Sequence, residues 1–195
     1  MKRCRDSLVI LLTVMTILGP PTILGQFSTQ AVNEFNEKLK AYTQLQKRVS
    51  PNVPQLRKQE ENPEKITAFK QGLAKAIQQE RAHAQQGDIF TPAIAEEFRK
   101  TIRAELAGKE GSTLREAVKT GNPAQEEGAT KPILVKVNAP YPGGAPLSSM
   151  PPGLLLKLPS LPKGLQYRFV GRHLVLFDSM ADLIVDYLLD VAPKG

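Results

Sequence analysis

The chain has 195 residues, of which 26 are Lys or Arg and 19 are Asp or Glu, and its formal net charge is +7. It contains no tryptophan, and no cluster of basic residues is interleaved with aromatic ones. Single-stranded nucleic acids bind largely by stacking their bases on aromatic side chains. We therefore expect no nucleic acid among the partners of this protein.

Residues 1–25 have the organisation of a secretory signal peptide. Three cations within residues 2–5 precede an apolar run over residues 8–18, and a Gly-Pro-Pro sequence follows it. The run has the length of a signal peptide's apolar region, whereas a membrane-spanning helix needs about 20 apolar residues. We predict cleavage after Gly25, a periplasmic or secreted protein, and a mature chain without a transmembrane span. Cleavage after Ala31 and an uncleaved N-terminal anchor are the alternatives.

The only cysteine, Cys4, lies within the predicted signal peptide and ahead of its apolar core, whereas a lipoprotein cysteine would follow that core. A mature chain without a thiol excludes disulfides, thiolate nucleophiles and zinc–cysteine sites. It would keep 23 Lys and Arg against 18 Asp and Glu, a net charge of +5. Its roughly 170 residues are enough to fold on a hydrophobic core alone. No cofactor is predicted.

Apolar residues in the first half of the mature chain recur every three or four positions, the spacing of amphipathic helices. Asn62 before Pro63 and Thr91 before Pro92 are helix starts, and Thr113 with Glu116 has the spacing of a capping box. We expect buried faces that include Phe35, Phe69 and Phe98. The predicted helices cover residues 31–49, 63–87 and 92–108, with a short fourth around 113–118.

The apolar period changes to about two after the polar segment 121–132, as in β-strands. We predict strands at 133–137, 166–170 and 173–177, and a helical turn at 153–158. Gly171-Arg172 between two strands suits a type II′ hairpin, which needs glycine at its first turn position. The last segment, Leu183–Leu188, fits either a strand or a helix, and its periodicity alone favours the helix.

The fold class that follows is α+β, with three or four N-terminal helices followed by a small antiparallel β-meander. The expected organisation is a signal peptide, a helical region, a linker and a β-rich C-terminal region packed with the helices as one domain. These parts cover residues 1–25, 26–120, 121–132 and 133–195.

Motifs along most of the mature chain resemble those of a family of bacterial exported proteins without a characterised activity. The matching segments are GDIFTP at 87–92, YP at 141–142, PLSSMPP at 146–152, and a closing pattern LP.LP..L.YRFVGR.LVL.D....LIVD at 158–186. The resemblance implies export and implies that Leu183–Leu188 is a third strand of the meander. It brings no known reaction with it.

One candidate chemistry is a metal site built from His173 with the carboxylates of Asp178 and Asp182. Aspartates recur every four residues from Asp178 to Asp190, and clustered carboxylate oxygens bind hard cations such as calcium. The glycine-punctuated loop that wraps calcium is absent from the sequence. Solvated turns and strand ends are the competing explanation of these aspartates.

A serine hydrolase is a further alternative, because Ser148, Ser149, His173 and Asp178 supply the residue types of a catalytic triad. No G-x-S-x-G elbow accompanies them. We rank this function third, behind a binding protein and a metal-responsive periplasmic protein.

The proline-rich loop YPGGAPLSSMPP is the most distinctive candidate binding element. Its side chains Tyr141, Leu147 and Met150 could contact a partner, because restricted prolines lose little conformational entropy on binding. The competing interpretation is a loop that holds the helices against the sheet. The leading prediction is a non-catalytic envelope protein that binds an unidentified envelope protein or a small ligand, and we do not expect an enzyme.

Overall fold

The computed structural model describes residues 27–57, 59–109, 111–120, 134–141 and 150–192. The predicted signal peptide and its cleavage site, the segment 121–132 and Leu147 lie outside the described residues. The elements confirm the α+β prediction, with helices first and strands last. They are α1 (Thr29–Val49), α2 (Pro63–Glu80), α3 (Pro92–Ala107), α4 (Gly111–Thr120), α5 (Pro152–Leu155), β1 (Leu165–Val170), β2 (His173–Asp178) and β3 (Leu183–Leu188).

The helix starts follow from local capping. The Ser28 hydroxyl accepts a hydrogen bond from the Ala31 N–H at 3.2 Å, where α1 begins. At α2, the Asn62 side chain accepts from the N–H groups of Glu64 and Lys65, and Pro63 fills the first helical position. Such caps bind N–H groups that have no partner within the helix. The predicted start of α2 is therefore confirmed.

The end of α2 differs from the prediction, because the helix stops at Glu80 and not at Gly87. Residues 81–90 form turns, and Gly87 takes a φ of +93° that no helix contains. The N–H groups of Gly87, Ile89 and Phe90 point instead at a carboxylate of β3. Helical periodicity in the sequence could not reveal that competing partner.

The three strands form an antiparallel meander in the order β1-β2-β3. Val170 pairs with His173 across the β1–β2 turn, and a bulge interrupts the β2–β3 register next to Leu176. In the turn, Gly171 has a φ of +56° while Arg172 stays outside the left-handed region. This geometry confirms the predicted type II′ hairpin.

The segment Leu183–Leu188 is a strand, so the helix favoured by its periodicity is wrong and the strand implied by the resemblance is present. Val185 packs into the cluster under the helices and Ile184 into the cluster on the opposite face of the sheet. A strand buried on both faces has an almost continuous apolar sequence, which periodicity does not separate from a helix.

The strand predicted at 133–137 is also wrong over its described part, since residues 134–137 are irregular. Pairing with β3 occurs a few residues later. The Asn138 N–H donates to the Ile184 carbonyl at 2.8 Å, and the Ile184 N–H donates to the Ala139 carbonyl at 2.9 Å. Pro140 forms an isolated bridge with Leu183. This segment covers part of the outer edge of β3.

The hydrophobic core lies between the helices and one face of the sheet, and it includes the predicted Phe35, Phe69 and Phe98. Phe35, Phe90 and Phe98 pack with ring centroids 5.1–5.7 Å apart. Each fully buried side chain of this size contributes roughly 1.5–3 kcal/mol. A smaller cluster covers the opposite face of the sheet and comprises Tyr141, Val170, Val175, Phe177 and Ile184.

Candidate functional site

Asp186, in β3, is fully buried beneath the turn that follows α2. One carboxylate oxygen accepts from the N–H groups of Gly87 and Tyr187, and the other accepts from Ile89 and Phe90, at 2.7–3.0 Å. Burial raises the pKa of Asp186, and the four N–H donors act in the opposite direction. The Asp186 side chain therefore holds the turn at residues 87–90 (GDIF) against the sheet.

Asp178, at the end of β2, is the second fully buried carboxylate. One of its oxygens accepts from the Tyr42 hydroxyl and the Gln46 amide of α1, both at 2.7 Å. The other accepts from the N–H groups of Met180 and Ala181 in the following turn. This carboxylate joins α1 to the sheet, and its oxygens already have four donors.

Tyr42 is buried where α1 meets α2. Burial raises the pKa of the Tyr42 hydroxyl, and the negative charge of Asp178 raises it further. The Arg81 guanidinium lies 5.2 Å from the centre of the Tyr42 ring, and burial lowers the pKa of Arg81. The phenol therefore stays protonated and acts as a hydrogen-bond donor within the core.

The three predicted metal ligands do not meet. His173 and Asp178 occupy opposite ends of β2, which a six-residue strand places roughly 16 Å apart. Asp182 is exposed in a turn with a φ of +55°. Within the described residues, no group of three or more His, Cys, Asp or Glu side chains could hold a metal ion.

His173 instead contacts the turn after β3. Its Nδ1 accepts a hydrogen bond from the Asp190 N–H at 3.1 Å, and the Asp190 carboxylate lies 3.8 Å away. Asp190 also pairs with Arg172 at 3.2 Å. Burial lowers the pKa of His173 from its ordinary value of 6.5, the Asp190 charge raises it, and Arg172 lowers it.

The four aspartates at four-residue spacing have two different roles. Asp182 and Asp190 are exposed turn residues with positive φ, as the solvated-turn interpretation predicts. That interpretation is wrong for Asp178 and Asp186, which are buried and hold the helices against the sheet. The hydrolase candidates are also separated, because His173 and Asp178 lie at opposite strand ends and Ser148 and Ser149 lie outside the described residues.

The described residues of the proline-rich loop lie on different faces of the sheet. Tyr141 packs its ring against Phe177 at 5.1 Å, and its hydroxyl donates to the Phe169 carbonyl at 3.4 Å. Burial raises the pKa of Tyr141. Met150 packs against the main core on the helical side. Both described residues therefore contact buried clusters, and only Met150 lies on the side of the sheet that the helices cover.

An open groove of about 630 Å³ runs between the segment that contains α5 and the strand β1. We call it the leucine groove, and it is lined by Met150, Leu155, Leu156, Leu158, Pro159, Ser160, Leu161, Leu165, Gln166, Tyr167 and Arg168. At its rim, Leu155 is 49% exposed and Leu156 is 88% exposed. Of the two predicted binding residues that the structure describes, Met150 lines it and Tyr141 does not.

The sequence around the leucine groove carries positive charge alone. Neither Asp nor Glu occurs between Glu127 and Asp178, while six Lys and Arg residues lie in that interval. Lys157 pairs with Glu105 of α3. Lys163 is exposed, and among the described residues it has no carboxylate within ion-pairing distance. Sequence reasoning missed this surface, although the LLLKLP run and the acid-free interval both point to it.

Comparison of the chain with protein-family models, with curated proteins and with solved structures gave no match. Among the helices of the described ranges, none is both long enough and apolar enough to span a bilayer.

Proposed function

We propose that this protein is a non-catalytic binding protein of the bacterial envelope and that the leucine groove is its binding surface. The predicted signal peptide and the resemblance to exported proteins support the location. The groove supports binding. A periplasmic or secreted protein would meet envelope proteins, lipids and small ligands at such a surface.

The observation that carries the proposal is the exposure of two adjacent leucines at the rim of an apolar groove. Leu155 at the end of α5 and Leu156 directly after it are exposed to solvent, next to the apolar side chains of Leu158 and Leu161. A contiguous apolar surface on a soluble domain typically marks a contact with a protein, a ligand or a membrane. A partner that covers such a surface removes its apolar side chains from water, which lowers the free energy.

The chemistry of the groove favours recognition over catalysis. Its described lining residues include no carboxylate, imidazole or thiol, and Arg168 is the only ionisable group besides the phenol of Tyr167. The ordinary pKa of a phenol, 10.0, already lies above neutrality, and burial raises the pKa of Tyr167 further. General acid–base catalysis needs groups whose pKa lies near the working pH. The two buried aspartates are occupied in holding the fold together.

The proposal is tested by placing a photo-crosslinking amino acid at position 156 and irradiating intact cell envelopes. We expect a reproducible crosslinked product of defined mass. The control position is Leu134, which is 86% exposed but does not line the groove, and its product should be absent or different. Identical products at both positions, or none at 156, would contradict the proposal.

A further inference from the structure

We propose that the partner of the leucine groove is an anionic phospholipid membrane surface. In this arrangement Leu155 and Leu156 insert among the lipid chains while Lys163 faces the phosphate groups. The inference rests on the proposed function, because it names the partner of the same surface.

The two leucines are held in an outward position by the structure of α5. Leu154 and Leu158 on either side of them are buried in the main core. The N–H groups of Leu155 and Leu156 donate to the carbonyls of Pro151 and Pro152, each at 3.0 Å. Because the backbone is already ordered, inserting these side chains into an apolar phase costs little conformational entropy.

The exposure of Leu156 favours a membrane over a peptide lying in the groove. With 88% of its surface exposed, this side chain is hardly covered by the groove that it lines. A peptide on the groove floor would leave most of that surface in water, whereas insertion into the lipid interface would cover it. Apolar side chains at a membrane surface bind in proportion to their buried area, with added attraction to anionic lipids.

The charges around the groove complement such a membrane. Lys163 is exposed and lies between Leu161 and Leu165, which both line the groove. The Arg168 guanidinium bonds to the Gln166 side chain and lies over the Phe177 ring at 5.5 Å, so it belongs to the sheet face opposite the helices. The nearest carboxylates in the sequence are Glu127 and Asp178. Each Lys or Arg close to an anionic lipid surface strengthens binding about fivefold.

The test measures binding of the mature protein, purified from the envelope, to vesicles of phosphatidylglycerol mixed with phosphatidylcholine. We expect sedimentation with these vesicles, weaker binding at higher salt, and little binding to phosphatidylcholine alone. Leu156→Asp should lower the partition coefficient at least about tenfold. Lys163→Glu should lower it at least about fivefold.

Two matched variants control for general changes of hydropathy and charge. Leu134→Asp removes an equally exposed leucine, and Lys75→Glu reverses an exposed charge on α2. Neither should change vesicle binding. Equal losses in the control and groove variants would overturn the inference, as would equal binding to both kinds of vesicle. All four substitutions are at exposed positions, and circular dichroism should show an unchanged fold.

The two proposals fail in different ways. A crosslink from position 156 to one defined protein, without vesicle binding, would leave the proposed function standing and overturn the lipid inference. Absence of both the crosslink and vesicle binding would overturn both. A lipid crosslink at position 156 that is lost with Lys163→Glu would support both.

Discussion

Asp178 and Asp186 show how a carboxylate can be buried without becoming a binding site. An ionised group in a core is strongly disfavoured unless hydrogen bonds replace its water. Each of these side chains accepts four such bonds. Asp182 and Asp190, at the same sequence spacing, occupy the turns before and after β3. The packing of the strands against the helices, and not the spacing in the sequence, decides which two aspartates are buried and which two are exposed.

Asp186→Asn should destabilise the protein by about 2–4 kcal/mol, because the amide nitrogen would face N–H donors and leave two of them without acceptors. Chemical denaturation measures the change in the free energy of unfolding. Asp182→Asn is the matched control, since asparagine tolerates the positive φ of this exposed turn, and it should cost less than about 0.5 kcal/mol. Equal effects of the two substitutions would refute the assigned role of Asp186.

His173 should make the stability of the protein depend on pH. Burial lowers its pKa below 6.5, and a proton on Nδ1 would also break the hydrogen bond from the Asp190 N–H. The unfolded chain therefore binds this proton more readily than the folded chain. Neutral His173 therefore makes its full contribution to the free energy of unfolding above pH 6.5. This contribution falls as the pH drops from 6.5 towards the lowered pKa of His173, and it no longer changes below that pKa.

His173→Gln should remove that pH dependence. The measurement is the free energy of unfolding of wild type and variant across this pH range. The wild type should lose stability relative to the variant as the pH falls below 6.5. His83→Gln, which removes an exposed imidazole, serves as the control. Parallel curves for wild type and His173→Gln would show that this imidazole does not couple to folding.

At the scale of elements, one junction connects the end of α2, the segment 138–141 and β3. The Arg81 guanidinium donates to the Asn138 side-chain oxygen at 3.0 Å and to the Val185 carbonyl at 3.2 Å. The Asn138 amide donates back to the Arg81 carbonyl, and Gln78 donates to the Asn138 carbonyl, both at 2.7 Å. Asn138 adopts a φ of +61°, which asparagine tolerates better than most residues.

Arg81→Met should destabilise the protein by about 1–3 kcal/mol, because it preserves the apolar stem but leaves partly buried oxygens without donors. Arg99→Met is the control, since Arg99 makes one exposed hydrogen bond of 3.5 Å to Leu189, and it should change the free energy of unfolding by less than about 0.5 kcal/mol. Thermal melts of both variants provide the measurement. A loss for Arg99→Met as large as that for Arg81→Met would contradict the junction.

The helix starts were predictable, whereas the end of α2 and two of the remaining segments were not, for one physical reason. Helix starts depend on neighbours in sequence, such as Asn62 with Pro63, so local patterns contain them. The assignment of Leu183–Leu188 depends on partners distant in sequence, because both of its faces are buried. The strand predicted at residues 133–137 depends on a distant partner in the same way, because pairing with β3 begins only after residue 137, at Asn138. The leucine groove was missed because the exposure of Leu156 depends on how α5 packs.

At the scale of the molecule, helices and sheet share one core. A single cluster of buried residues joins Phe35 of α1, Leu73 of α2, Phe98 of α3 and Leu176 of β2. Buried carboxylates reinforce the same contact at two places. The prediction that helical and β-rich regions form one domain has support in this cluster and stays open to experiment.

Helices and sheet should therefore unfold together in one cooperative transition. Far-UV circular dichroism reports mainly on the helices, and tyrosine fluorescence reports on the four tyrosines, of which Tyr42, Tyr141 and Tyr167 are buried. The two denaturation curves should coincide, and Phe98→Leu should shift them equally to lower denaturant. Two separate transitions would instead show that helices and strands are independently stable units.

The order of the core contacts along the chain has a consequence for how the protein is made. Gln46 precedes its partner Asp178 by 132 residues, and Gly87 precedes Asp186 by 99. Contacts between distant residues form only after the intervening chain is present. A newly synthesised chain has all of its helices before it has the strands that hold them, so it cannot close its core until it is almost complete. The export that we propose would therefore act on a chain whose core has not yet closed.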